Sequence, residues 1–103
     1  MSLFAVVREA GPGWEEGGIF DQTQVDEHSA FMSRLAEETF VLLAGPLAGS
    51  EARRLRALLI VDAWDEAEID ARFANDPWAA SDHLRRVSVE PWNVLVGAKR
   101  LDR

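Results

Sequence analysis

Few side chains in this sequence could carry out chemistry. There are two histidines, His28 and His83, no cysteine, and a carboxylate, Asp76, set directly before a proline. A histidine titrates near neutrality and makes a natural general base, provided that a carboxylate orients it. Asp26 and Glu27 are close to His28 in the chain but do not share its helical face. Asp76 lies far away, in the stretch "NDPWAASDHLRRVSVEPW" at residues 75–92. It has a plain reading, because Asp is a favoured N-cap and Pro a favoured first helical residue, so Asp76-Pro77 starts a short helix through Ala80. It also has a chemical one: Pro77 forces the residue before it into an extended conformation, which aims the carboxylate across the helix layer toward His28. On an apolar helix face a lone His is more often a satisfied core residue than the base of a pocket, and the second reading needs that orienting carboxylate. Used for catalysis and not for structure, the two residues should be removable at less than about 1.5 kcal/mol.

The totals narrow the field. One domain fits 103 residues, and 48% hydrophobic residues mark a globular chain. Eighteen acidic against eleven basic residues leave a net charge of -7, which argues against a nucleic-acid partner. Without cysteine there are no disulfides and no thiolate nucleophiles, and two histidines are too few for a His-based metal site unless carboxylates complete it. The start "MSLFAVVREAG" reads as a first strand, and no run approaches a membrane span, so a soluble cytoplasmic protein is expected.

These residues need elements to position them. "LFAVVR" is a buried strand at residues 3–8, followed by a glycine-rich loop over residues 9–22 that is expected to border a pocket mouth and to be mobile. Thr23 and Asp26 have capping-box spacing and open a helix over residues 24–38. Val25, His28, Met32, Leu35 and Ala36 lie on its apolar face. Residues 40–46 and 56–63 are the second and third strands, and Asp65 with Glu68 caps a second helix that stops at Asn75 and Pro77. Residues 85–97 alternate as a half-buried strand through Glu90, with Pro91 marking an edge, bulge or break. The order β-α-β-β-α-β is ferredoxin-like, an α+β fold with a four-stranded antiparallel sheet and both helices on one face. The other face is apolar and uncovered, which favours a homodimer.

With "EHSAFMSRL", "LLAGPL" and the Asn-Asp-Pro-Trp to Val-Ser-Val-Glu-Pro-Trp stretch in this order, the chain resembles the YCII-related (YciI-like) family of small dimeric α+β-barrel proteins. The resemblance implies a pocket between sheet and helices, like that of muconolactone isomerases and small cofactor-free monooxygenases. It also implies a His–Asp acid/base couple at His28 and Asp76, with a dehydrochlorinase of chlorinated hydroxyquinols in one branch of the family. Gly45 and Pro46 then belong to the substrate-binding set. The domain covers residues 1–98, and residues 99–103 form a basic tail. Asp82 departs from the pattern, since relatives tend to carry Gly there.

Trp14 and Trp78 could wall a pocket for a planar substrate, while Trp92 reads as a core or interface anchor. Arg8, at the end of the first strand, is a candidate anion clamp. His83 reads as an exposed residue at the entry to the last strand. Two functions are therefore in play. One is a cofactor-free, metal-free lyase or isomerase acting on a small cyclic or aromatic substrate. The other is a non-catalytic ligand-binding or regulatory dimeric module.

Overall fold

A computed structural model describes residues 2–101. β1 (Ser2–Ala10), α1 (Val25–Glu37), β2 (Val41–Pro46), β3 (Arg56–Ala63), α2 (Glu66–Phe73), a single-turn α3 (Pro77–Ala80) and β4 (Leu84–Pro91) follow in that order. The strands form one antiparallel sheet in the order β2-β3-β1-β4, so the fold is α+β and ferredoxin-like.

Side-chain parity along β1 sets up everything that follows. Phe4, Val6 and Arg8 point under the helices and are buried, whereas Leu3, Ala5 and Val7 point the other way. Phe4 and Val6 meet Leu59 and Val61 of β3, Phe31 and Leu35 of α1, and Ile69 and Phe73 of α2 in the main core. Burial of each such side chain stabilises by about 1.5–3 kcal/mol. Arg8 is the polar exception on this inward row. The opposite face carries Leu43 and Leu58, 58% and 36% exposed, with Ile60 beside them buried at 5%. No helix among the described residues is long and apolar enough to cross a membrane.

Two caps behave differently from one another. Asp65 accepts the Glu68 N–H at 2.8 Å, as the sequence predicts. Thr23 does not cap α1. The N-cap is Gln24 in a left-handed conformation (φ 65°) with no side-chain cap bond. The Thr23 hydroxyl and N–H are instead taken by the Glu15 carboxylate, at 2.9 and 2.6 Å. A fully charged acceptor eight residues away outcompetes a local cap.

β4 ends at Pro91, on the sheet edge, where the missing N–H costs no ladder bond. Its register slips where Val7 and Arg8 of β1 pair with Ser88 and Arg86, leaving Val87 as the extra residue of a bulge. The bulge lets Leu84, Arg86 and Val89 share the inward face although Arg86 and Val89 are an odd number of residues apart. Trp92 is 43% exposed and so is no core anchor. Ala98–Leu101 forms a 3-10 turn, and the last two residues of the expected tail lie outside the described residues.

Candidate functional site

Arg8 brings a cation under the helix layer, and Asp76 meets it there. Asp76 follows α2, where Pro77 holds it extended (φ −67°, ψ 129°). Its Oδ1 accepts the Trp78 N–H at 2.9 Å, which makes it the N-cap of α3. Its Oδ2 accepts from Arg8 Nη1 at 3.0 Å, and both oxygens lie 2.9–3.0 Å from Nδ1 of His28. The cap and the partnership with His28 are thus one arrangement and not alternatives. All three side chains are buried, with Asp76 only 1% exposed.

The electrostatics follow from that enclosure. Burial pushes the Asp76 carboxyl up, but the His28 hydrogen bond, the charges of His28 and Arg8 and the Trp78 N–H outweigh it, and its pKa is held below the usual value. Burial also lowers the Arg8 guanidinium, against the pull of Asp76. An arginine nonetheless stays charged. An ionised carboxylate only accepts, so His28 carries its proton on Nδ1 when neutral. Nε2 is left with a lone pair and has no partner among the described residues. At Asp76 this geometry argues against a mild stability cost. Removing Asp76 would strand a buried Arg8, which is a structural penalty whatever the chemistry.

His28 and Arg8 supply the polar end of a cleft of about 160 Å³ between sheet and helices. The remaining wall is apolar, from Ile19, Met32, Leu55, Leu59 and Leu84 with Ala44, Gly45 and Pro46 of β2. Of the residues assigned to substrate binding, Arg8, Gly45 and Pro46 are on this wall. Trp14 and Trp78 are not. Trp78 is 0% exposed and lies behind the wall, its indole stacked flat on the His28 ring (3.9 Å between centroids, 10° between planes). Trp14 packs edge-on against Trp78 at 5.6 Å. Their apolar bulk is spent on a second small core with Leu55 and Leu84. Met32 could have been found from sequence, since it sits one helical turn beyond His28.

His83 is not an exposed strand-entry residue either. It is 6% exposed, with Nε2 3.0 Å from Glu15 Oε1 and Nδ1 2.6 Å from Ser81 Oγ. Both of its nitrogens are engaged, so of the two imidazoles only that of His28 has one to offer. The loop over residues 11–22 borders the cleft through Ile19 but is bound down at Glu15. Three hydrogen bonds, from the Thr23 N–H first, then His83 and the Thr23 hydroxyl, lower the Glu15 pKa to about 2. Asp82 sits in the left-handed region (φ 60°), where Gly is favoured, and its carboxylate turns outward to Arg85 at 3.4 Å. The added charge therefore stays out of the cleft. Among the described residues, no group of three or more His, Cys, Asp or Glu is placed to hold a metal ion.

Comparison with known proteins adds a fold and a family. The chain is similar in structure to the 5-chloro-2-hydroxyhydroquinone dehydrochlorinase TftG of Burkholderia phenoliruptrix, solved with 2,5-dihydroxybenzoquinone. The TM-score is 0.61 at 22% sequence identity, over 88% of this chain and 93% of that one. No curated protein sequence matches it. The YCII-related domain model matches residues 4–93, and the chain belongs to that family.

Proposed function

We propose that the protein is an acid/base enzyme, a lyase or isomerase of dehydrochlorinase type, acting on a small cyclic or aromatic substrate through His28 and Asp76. One observation carries the reading: His28 has Nδ1 tied to a buried carboxylate and Nε2 unclaimed beside an apolar cleft. In this reading neutral His28 takes a proton from the substrate at Nε2. The electron pair left behind forms the new double bond, and the leaving group departs with its own pair. The imidazolium so formed sits against the Asp76 carboxylate, which stabilises it where it arises. Arg8 keeps that carboxylate ionised and adds a positive edge to the cleft. The apolar wall suits a flat ring, and no step calls on a cofactor. The likeness to a dehydrochlorinase supports the lyase assignment at the level of fold.

The test uses 5-chloro-2-hydroxyhydroquinone as a trial substrate and follows chloride release. Turnover by the native protein that is lost in His28→Ala supports the proposal. Tight binding of 2,5-dihydroxybenzoquinone with no turnover of any chlorinated hydroquinone would favour the ligand-binding or regulatory module instead. We further propose a homodimer formed through the sheet face opposite the helices, supported by the exposed Leu43 and Leu58 there, with residues 1–98 as the domain and 99–103 as its tail.

A further inference from the structure

Among the described residues, the His28 ring has one hydrogen-bond partner, Asp76 at Nδ1, and one aromatic ring stacked on it, the Trp78 indole. The carboxylate can accept that proton over a range of ring tilts, because both of its oxygens are about equally near. The flat stack is what selects one plane. Whatever fixes the indole therefore fixes the direction in which Nε2 points.

The indole is fixed from the glycine-rich loop. Its Nε1–H donates to the Thr23 carbonyl at 2.7 Å. Thr23 is in turn gripped by Glu15, through its N–H at 2.6 Å and its hydroxyl at 2.9 Å. The same carboxylate takes the Nε2–H of His83 at 3.0 Å, and the His83 ring stacks on the same indole at 5.6 Å and 15°. Ser81 Oγ closes the set at His83 Nδ1. One side chain, Glu15, thus anchors both supports of Trp78. Gln22 holds Glu15 in place, accepting its N–H at 2.7 Å and donating to its carbonyl at 3.0 Å.

We infer that Glu15 and His83 are positioning residues for His28, acting through the plane of the Trp78 indole. Neither lines the cleft, so neither touches substrate. The arrangement Ser81–His83–Glu15 is not a second nucleophilic site. Its histidine has no nitrogen to spare for a reacting group, and neither His83 nor Ser81 lines the cleft. The inference rests on the reading of His28 as the base, and the experiment below separates the two.

The chain holds only two histidines, so imidazole proton and nitrogen resonances can be assigned by substitution. The informative variants are His83→Phe, which keeps a ring against Trp78 but loses both hydrogen bonds, and Glu15→Gln, which removes the charge. Asp76→Asn serves as the control. The readout is the exchange rate of the His28 Nδ1 proton and the nitrogen shifts of its ring, well below the unfolding midpoint. A residue that only adds stability would leave both unmoved under those conditions. Positioning predicts about tenfold faster exchange in His83→Phe and Glu15→Gln, because the ring opens locally. If either variant does not fold, Ser81→Ala removes only the Nδ1 partner of His83 and should move the same signals in the same direction, by less. A His28 that responds to Asp76→Asn but to none of the loop variants overturns the positioning role and leaves the His28–Asp76 pair standing. A His28 that ignores Asp76→Asn overturns both.

Discussion

Replacing Asp76 by Asn tests the centre of the site, and its cost can be worked from the geometry. Asn is as good an N-cap as Asp, so the bond to the Trp78 N–H is retained. What disappears is the charge opposite Arg8, which is 4% exposed and paired at 3.0 Å. Breaking a buried pair by removing one partner costs about 3–5 kcal/mol, since the remaining charge is left uncompensated. That is a third or more of the stability of a typical small domain. Urea denaturation at neutral pH should show the loss as a lower midpoint with an unchanged slope. Adding Arg8→Met removes the stranded cation, and the double variant should cost less than the sum of the singles by on the order of 2 kcal/mol. The pH dependence has a definite sign. The folded pKa of Asp76 lies below the usual 3.8, so its contribution is fully present above that value and fades as pH falls below it. The difference between native protein and Asp76→Asn should therefore be constant near neutrality and shrink in acid. A cost under about 1 kcal/mol, or strict additivity with Arg8→Met, would refute the reasoning.

Other expectations follow from the same contacts. His28→Ala leaves Arg8 and Asp76 paired and should cost only about 2–3 kcal/mol, from one charge-assisted bond and one ring stack. Loss of turnover on a still-folded scaffold would then be chemical, readable by circular dichroism beside chloride release. Glu15 is depressed from 4.5 to about 2, so its grip on Thr23 and His83 should hold above pH 4.5 and be lost as pH falls toward 2. Acid titration of the native protein against Glu15→Gln, read at the Trp78 indole proton, measures this. Ala44→Leu should narrow the cleft and weaken 2,5-dihydroxybenzoquinone at least tenfold, while changing stability by no more than about 1 kcal/mol. Gly45 stands opposite Leu58, and a side chain there meets open space, so Gly45→Leu should leave the monomer fold intact. Light scattering of the native chain at micromolar concentration should give a dimer, and a monomer would remove the proposed sheet-face contact.

What could be read from sequence was what depends on periodicity and on neighbours along the chain. Element order, the Asp65 cap and the start of α3 at Asp76-Pro77 are all local signals. The meeting of His28 and Asp76 followed from both helices lying on one sheet face. What escaped was settled between distant segments. Thr23 looked like a cap because Glu15, in a loop, gives no sign of its destination. His83 looked exposed because strand-entry residues usually are, and its two partners come from the loop and from α3's last turn. Trp14, in the glycine-rich loop, and Trp78, after the Asp-Pro turn, looked like pocket walls because an aromatic residue fits either side of a wall equally well.

The crossing of the loop over the turn before β4 has a consequence for building variants of this scaffold. A methyl group on Gly11 would sit 2.4 Å from the Asp82 carbonyl oxygen, and one on Gly13 2.1 Å from that of Ser81. The N–H of Gly13 donates to Asp82 and that of Gly11 to His83. The two segments, some seventy residues apart in the chain, are therefore one interchangeable part (roughly residues 11–15 with 81–83). A graft that brings in a new loop without its matching turn would jam backbone against backbone. A graft that moves both together would carry the orientation of the cleft's histidine with it.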